Sequence, residues 1–343
     1  MGGNRTLVVL TGCIAAVLVL GVLYLTRPVM APVTFALFLV AVVWPMQRAL
    51  QGWMPRPVAV LATMMTTLVV VALLAAMIAW GFSRAARWVI ANGPRLQQLY
   101  IEQTSWLDAY GIGLSDILAE HFSVAWLARR GQEVAGAVQG FLTFTGITLL
   151  FTLLGLLELD ALRSRIAAWP DTQLSATVLR TAAVIARKLQ VYMLVRTVMS
   201  VLTGVMIYAF ARLTGLDLAL EWGVIAFALN YIPFIGPLVA TIVPTFFAGL
   251  QYENWQIGVM VFVGIYAIQF AVGSYLEPRV AGNVLAVSPF LVLFAVFFGA
   301  LLWGLAGAFI GIPFVIVLLA ICEQDPRSRW LSELLSGRPA ERA

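Results

Sequence analysis

Residues 229–244 of this 343-residue chain read "LNYIPFIGPLVATIVP" and lie inside one of its most apolar stretches. The segment contains three prolines and one glycine. Proline lacks a backbone N–H and kinks or breaks a helix, whereas a long apolar run normally forms a continuous membrane helix. The sequence therefore predicts a membrane segment that is interrupted part-way along its length.

The composition of the whole chain is that of a membrane protein. Hydrophobic residues make up 62% of the sequence and charged residues 11%, far from the balance of a soluble domain. A spanning helix needs roughly 20 mostly apolar residues, and several runs reach that length. The short segments of alternating polarity that form outer-membrane barrels do not occur in the sequence. We predict an all-α polytopic integral membrane protein.

Hydropathy divides the chain into about eight membrane segments and several polar connections. The segments cover about 6–25, 28–46, 57–82, 134–157, 189–211, 222–251, 255–276 and 284–321. The predicted regions are three N-terminal spans (1–82), extramembrane amphipathic helices (83–133), one span (134–157), a basic linker (158–188), a C-terminal membrane core (189–322) and a tail (323–343). Two of the segments are interrupted by proline and glycine.

The charges of the linker 158–188 predict the orientation of the chain. This linker has five positive residues against three negative ones, and positively charged loops stay in the cytoplasm. Counting crossings from there puts both termini in the cytoplasm and residues 83–133 outside. Positive residues are spread along the connections instead of forming one basic run, so the predicted partner is the lipid bilayer and not a nucleic acid.

The last apolar run, 284–321, is too long for one straight helix. Its 38 residues would extend about 57 Å, nearly twice the thickness of the hydrocarbon core. The predicted break points are Gly299, Gly304, Gly307, Gly311 and Pro313 in this run, and Pro233, Gly236, Pro237 and Pro244 in the earlier one. Each run either folds into a re-entrant hairpin or crosses fully. We favour hairpins, because Arg279 then lies on the cytoplasmic side.

Interrupted membrane helices indicate a binding site. Backbone groups freed at a break cannot face lipid, so they face protein or a water-filled cavity. A pair of interrupted apolar segments is typical of the substrate site of a transporter. Asn230 and Tyr231 directly precede the first break and add polar side chains at the same depth. The alternative is a pair of kinked helices that only pack against their neighbours.

Four further polar residues within or at the ends of spans are candidates for substrate binding, ion binding or gating. Arg196 lies about eight residues inside its apolar run, and Gln269 lies within the span 255–276. Glu277 and Arg279 flank Pro278 at the end of that span. Charged residues inside a membrane often mark substrate or proton pathways. The alternatives are an interfacial ion pair and, for Gln269, a hydrogen bond to a neighbouring helix.

The residue inventory does not predict an enzyme. The single histidine, His121, lies in the extramembrane region, and no HExxH motif occurs. Neither Cys13 nor Cys322 has a base nearby in the sequence, which argues against a cysteine nucleophile or a metal site. Lys188 follows "VIAR" and not a glycine-rich phosphate loop. We therefore predict no cofactor and no metal, and transport driven by an ion gradient.

Residues 189–321 resemble the autoinducer-2 exporter family, in particular the branch that contains the quorum-signal exporter. The resemblance rests on "LNYIPFIGPLVATIVP" and on "YLEPRVAGNVLAVSPFLVLFAVFFGALLWGLAGAFIGIPFVIVL", residues 275–318. The matching motif positions are Asn230, Ile232, Pro233, Gly236, Pro237, Glu277, Pro278, Arg279, Gly282 and Pro289, with Pro313 closing the glycine-rich stretch. At Asn283 the basic residue of many relatives is missing.

The resemblance implies a secondary transporter, or permease, of the bacterial inner membrane. Members export autoinducer-2 or related small molecules in quorum sensing, others are thought to exchange sodium for protons, and the assembly is a homopentamer. The predicted function is export of a small polar solute by alternating access. One alternative is a sodium/proton antiporter in which Glu277 carries the proton and Arg196 or Arg279 tunes it. A second alternative is a membrane scaffold without transport.

Overall fold

The computed structural model describes residues 2–92, 124–281, 287–324 and 328–335. These ranges are helical and contain no strand, which confirms the predicted all-α polytopic fold. The helices are α1 (Gly2–Leu25), α2 (Arg27–Gln51), α3 (Arg56–Ala91), α4 (Val124–Ala167), α5 (Thr172–Leu213), α6 (Ala219–Leu229), α7 (Ile235–Tyr252), α8 (Trp255–Phe270), α9 (Glu277–Ala281), α10 (Pro289–Gln324) and α11 (Arg329–Leu335), with a π-helix (Ala271–Leu276) between α8 and α9.

Seven helices in the described ranges are long and apolar enough to cross a membrane, judged by length and composition. They are Arg27–Gln51, Arg56–Ala91, Val138–Ala167, Thr172–Leu213, Ile235–Tyr252, Trp255–Val280 and Pro289–Gln324. The apolar parts of α1, Leu10–Leu25, and of α6, Ala219–Leu229, are shorter. Most of the predicted amphipathic region, residues 93–123, and Gly282 lie outside the described residues.

The predicted linker 158–188 is almost entirely helical. Helix α4 continues past the apolar segment to Ala167, and α5 already begins at Thr172. Asp171 caps the start of α5, since its Oδ1 accepts a hydrogen bond from the backbone N–H of Leu174 at 2.8 Å. Charged side chains can be solvated on a helix without breaking it, so the change in polarity marks the end of the apolar segment but not the end of the helix.

The chain forms two compact units, which are described separately. The first consists of Met1–Val69, Phe144–Thr197 and Pro278–Ala343, and the second of Val70–Thr143 and Val198–Glu277. In the first unit, Val40 and Trp44 of α2 pack against Leu156 of α4. Gly155 permits this approach, because a Cβ there would lie 2.9 Å from Val40 Cγ2.

A proline inside α2 is compensated by a side chain of α5. Pro45 has no N–H, so the carbonyl of Ala41, four residues back, lacks its helical donor. The Gln190 amide nitrogen donates to this carbonyl at 2.8 Å. The hydrogen bond therefore satisfies α2 at its proline and joins it to α5.

Helix α10 folds back on itself as a hairpin. Trp303 and Gly304 have non-helical backbone angles, with φ of +63° at Gly304. A Cβ on Gly307 would collide with the carbonyl oxygen of Gly299, and one on Gly311 with that of Ala295. The two arms are thus antiparallel and in backbone contact. Of the break points predicted in this run, only Gly304 lies where the helix is broken.

The other predicted break points have different roles, which corrects the sequence-based prediction. Gly307 and Gly311 allow the close approach of the two arms, and Pro313 lies inside the second arm without ending it. Pro244 likewise lies inside α7. A positive φ is accessible mainly to glycine, and at residues 289–324 the described backbone has one only at Gly304.

The ends of the α10 hairpin are fixed by hydrogen bonds within the first unit. At the tip, the Trp303 indole N–H donates to the carbonyl of Leu23 at 3.1 Å, near the end of α1. At the base, the backbone N–H of Ser288 donates to the carbonyl of Leu335 at 3.2 Å. The hairpin therefore begins beside the C-terminal helix α11 and turns at the junction of α1 and α2.

The second unit contains another helical hairpin, formed by α6 and α7. Its base is closed by Gln251, whose Oε1 accepts from the backbone N–H of Asp217 at 2.8 Å, and by Tyr252, whose hydroxyl donates to the carbonyl of Thr214 at 2.8 Å. Chain entry and exit are therefore adjacent. The core around the hairpin includes Trp222, which is 1% exposed.

In each interrupted segment the chain thus enters and leaves the hairpin at that hairpin's own base. This is the hairpin geometry and not a single full crossing, and the side of the membrane on which each base lies stays a prediction from the charges. In the second unit, α3 is tied to the hairpin base by two contacts. Arg84 Nε lies 3.0 Å from Glu221 Oε1, and the Trp88 indole N–H donates to Asp217 Oδ2 at 3.2 Å.

Candidate functional site

The tip of the α6–α7 hairpin, residues 230–234, contains a buried polar pair. Asn230 caps α6 and is 5% exposed, and its Nδ2 donates to Ser200 Oγ of α5 at 3.2 Å. Ser200 is fully buried. A buried amide–hydroxyl pair can exchange its mutual hydrogen bond for bonds to a ligand that carries hydroxyl or carbonyl groups.

The length of α5 between Ser200 and the C-terminal end of the helix shows how far the tip lies from the base of the hairpin. Ser200 precedes Leu213, the last residue of α5, by thirteen residues, which corresponds to about 20 Å along the helix. The eleven residues of α6 cover about 16 Å. The tip therefore lies well inside the apolar part of α5 and far from either end of it.

Tight turns satisfy much of the backbone at the tip. The carbonyl of Leu229 accepts from the N–H of Ile232 at 2.9 Å, and that of Ile232 accepts from Gly236 at 2.9 Å. The carbonyl of Pro233 accepts from Ile235 at 2.7 Å. These carbonyls are therefore not free for a ligand, contrary to the expectation from the prolines. The polar side chains are the groups that the tip can offer.

Phe234 has a strained backbone at the turn itself. Its φ and ψ are +60° and −50°, and the Ile235–Pro233 hydrogen bond closes a three-residue γ-turn around it. Positive φ is rare for a bulky residue, and this form of γ-turn is uncommon because it is strained. The Phe234 side chain is 44% exposed. Strain of this kind is concentrated at binding sites and moving segments.

The remaining predicted residues of the tip shape it. The Tyr231 ring packs edge-on against Phe227, with centroids 5.8 Å apart. Pro233 and Gly236 are buried, and Pro237 is half-buried in the first turn of α7. A side chain on Gly236 would collide with the carbonyl oxygen of Leu229. Gly236 is therefore what lets α7 start directly against the end of α6.

Two other predicted residues lie in the second unit but not at the hairpin tip. Gln269 is half-buried in α8, and its amide nitrogen is buried without a hydrogen-bond partner among the described residues. Glu277 is half-buried directly after the π-helix. Short π-helical turns occur frequently at functional sites.

Four predicted residues belong to the first unit. Arg196 is 8% exposed, and its guanidinium carbon lies 5.9 Å from the centre of the Tyr192 ring. Arg279 is exposed in α9, and Pro289 is exposed at the start of α10. Pro313 is buried inside α10. Within the first unit these four residues lie on three different helices, α5, α9 and α10.

Two residues of the second unit are important in the structure but were not singled out from the sequence. Ser200 precedes Gly204 by one helical turn, and this small-residue pattern could have indicated a close helix contact at the hairpin. Glu221 is 5% exposed and bonded to Arg84. The position of an acidic residue beside Trp222, at the start of an apolar run, could have indicated Glu221 in the sequence.

Among the described residues there is no group of three or more His, Cys, Asp or Glu able to hold a metal.

Seven apolar helices long enough to span a membrane and two helical hairpins in the described residues place the chain in the class of polytopic integral membrane proteins. The model of the AI-2E transporter family matches residues 13–326, which is most of the chain. The chain therefore belongs to the AI-2E family of transporters. This confirms the resemblance recognised in the motifs at residues 229–244 and 275–318.

Individual relatives agree with this assignment. The AI-2 transport protein TqsA of Escherichia coli K12 is 26% identical over 314 residues, covering 90% of this chain and 89% of TqsA. The protein named "Putative transport protein" in Borreliella burgdorferi is 34% identical over 147 residues. That second match covers 43% of this chain and 41% of the Borreliella protein, so it spans less than half of either.

Proposed function

We propose that this protein exports a small polar solute, autoinducer-2 or a similar metabolite, across the bacterial inner membrane by alternating access. Membership of a transporter family and similarity to TqsA, which is named an AI-2 transport protein, support this function. By family resemblance the working form is a homo-oligomer. The solute would bind at the tip of the α6–α7 hairpin.

The observation that carries the proposal is the buried Asn230–Ser200 pair at the hairpin tip. A polar group in hydrocarbon without a partner is unfavourable by several kcal/mol, so these two groups need either each other or a ligand. A solute with hydroxyl groups can take over both hydrogen bonds. The strained turn at Phe234 follows Asn230 by four residues in the same hairpin tip and can change its conformation when the solute binds.

The proposed orientation puts the base of the α6–α7 hairpin outside and that of the α10 hairpin in the cytoplasm. It follows from the positive linker 158–188, from two hairpins that each return to the side from which they enter, and from the predicted cytoplasmic termini. It can be tested in a variant without Cys13 and Cys322. A cysteine introduced at Asn254, between α7 and α8, is expected to react with an impermeant reagent from outside, and one at Ser288 is not. The reverse pattern would contradict this orientation.

Transport is proposed to use an ion gradient, since the chain has no glycine-rich phosphate loop around its single lysine. The alternative, a sodium/proton antiporter, is favoured by one observation, the half-buried Glu277 after the π-helix. Sodium-dependent proton flux without organic solute, abolished by Glu277→Gln, would select the antiporter. Solute flux that survives Glu277→Gln but needs Asn230 would exclude Glu277 as the essential group.

The deciding experiment measures autoinducer-2 flux in vesicles that contain the purified protein. We expect Asn230→Ala and Ser200→Ala to lower flux at least tenfold while the protein still inserts. Asn254→Ala is the matched control, because Asn254 caps α8 through a 2.8 Å bond to the N–H of Gln256 at the hairpin base. Normal flux in both tip variants would refute the proposed binding site. Absence of autoinducer-2 flux in the unmodified protein would refute the proposed function.

A further inference from the structure

Two glutamines of α2 have buried amide atoms without hydrogen-bond partners. Gln47 is 0% exposed, and neither its Nε2 nor its Oε1 has a partner among the described residues. The Nε2 atom of Gln51 is also buried without a partner there. Residues four apart lie on one face of a helix. The two side chains thus offer at least two donor nitrogens and one acceptor oxygen from the same side of α2.

Three other polar side chains of the first unit are satisfied within the protein. Gln190 donates to the carbonyl that Pro45 leaves free at Ala41. The hydroxyls of Thr63 and Thr67 each donate to the carbonyl four residues back, at 2.8 Å. These side chains show what a structural role looks like in this unit. The Gln47 amide makes no such bond to a backbone carbonyl. A leucine would fill a similar volume there without leaving a polar group unsatisfied.

Buried polar atoms almost always have a partner, either in the protein or in a bound molecule. An amide without one is unfavourable, so a glutamine at a fully buried position indicates that a bound molecule completes its hydrogen bonds. Such a molecule must donate to Gln47 Oε1 and accept from the amide nitrogens. A fully deprotonated anion cannot do the first, and a metal cation cannot do the second.

The charges near Gln47 also argue against a cation. Trp44 lies one turn earlier on α2, and its ring has the guanidinium carbon of Arg48 at 5.3 Å and that of Arg163 at 6.0 Å. These two positive groups beside Trp44, one helical turn from Gln47, disfavour a further positive charge in this region. The chemistry that remains is a neutral hydroxyl group, which both donates and accepts.

We propose that Gln47 and Gln51 form a binding site for a neutral hydroxyl group, carried either by an ordered water molecule or by the transported solute. The second source rests on the proposed function, whereas the first does not. Amides do not titrate between pH 5 and 9, so binding at this site is independent of pH over that range.

The test compares thermal unfolding and flux of Gln47→Leu with those of Gln190→Leu as the matched control. Gln190→Leu removes a bond made within the protein and is expected to lower Tm by about 2 °C or more. If water occupies the site, Gln47→Leu loses that water with the amide, so Tm does not rise and autoinducer-2 flux is unchanged. If the solute occupies it, flux falls at least fivefold and the rise in Tm on adding autoinducer-2 disappears.

One result overturns the proposal: Gln47→Leu raises Tm by about 2–4 °C while flux and the solute-induced shift stay at the values of the unmodified protein. The Gln47 amide would then be merely unsatisfied. Gln47→Glu keeps the length and an acceptor oxygen but loses the donor nitrogen, so flux above that of Gln47→Leu supports the solute contact. A fall in flux in both variants with an unchanged solute-induced rise in Tm overturns it. If the unmodified protein carries no solute, the Tm comparison alone decides whether the site exists.

Discussion

Gly204 and Gly223 face each other across the contact between α5 and α6, so closely that a Cβ on either would lie 2.8 Å from the carbonyl oxygen of the other. The Asn230–Ser200 pair lies along the same contact, one to two turns further toward the hairpin tip. The two glycines therefore set how near the hairpin can come to α5. A change at this point is transmitted to the polar pair through two rigid helices.

Gly223→Ala is expected to destabilise the protein by about 1–3 kcal/mol, because the neighbouring backbone has to move. Flux should fall as well, since the Asn230–Ser200 distance then increases. Gly249→Ala in α7 is the matched control. Nothing lies within 4 Å of a Cβ there, so alanine is tolerated and raises helix stability by up to about 1 kcal/mol. Equal thermal stability of the two variants would refute the close contact.

The Gln190–Ala41 hydrogen bond can be tested by a double-mutant cycle with Pro45. Gln190→Leu leaves the Ala41 carbonyl buried without a donor, and we expect a loss of about 1–3 kcal/mol. In the Pro45→Ala protein the restored N–H satisfies that carbonyl, so the same substitution should cost less. Chemical unfolding of the four proteins measures this coupling. An identical cost in both backgrounds would show that Gln190 stabilises the protein in another way.

The sequence predicted the helices and both hairpins because long apolar runs and clustered prolines have few structural solutions in a membrane. It did not identify which glycine turns the α10 hairpin. Gly299, Gly304 and Gly307 look alike in sequence, but only Gly304 has the positive φ of a turn. The others are needed for backbone contact between the arms, which depends on the tertiary structure.

The candidate site was predicted in part for a similar reason. Asn230 follows from its place before the break, whereas its partner Ser200 is thirty residues earlier on another helix. The spacing of Ser200 and Gly204 indicates a close helix contact but not which helix makes it. The prolines also suggested free carbonyls, and the turns at Ile232 and Ile235 satisfy several of them locally.

The buried Glu221 carboxylate accepts a hydrogen bond from Arg84 Nε in the second unit, across a 3.0 Å contact. Arg84→Met is expected to destabilise the protein by about 1–2 kcal/mol, because a buried carboxylate loses its donor while the half-exposed arginine loses little. Replacing both residues with methionine should recover part of this loss. Arg87→Met is the control on the exposed face of α3, with an expected change within about 0.5 kcal/mol. Additive losses in the double variant would contradict the pairing.

Because the backbone at Phe234 is strained, we expect that removing its whole side chain stabilises the protein. Phe234→Gly should raise the unfolding free energy by about 1 kcal/mol or more, because glycine adopts a positive φ freely and the exposed ring loses few contacts. Phe234→Ala is the matched control: it removes the same ring but keeps the backbone strain, so it should give no such gain. If glycine and alanine at this position unfold at the same temperature, the backbone of the hairpin tip is not strained. If only glycine stabilises and it also lowers flux, the strain at Phe234 contributes to transport.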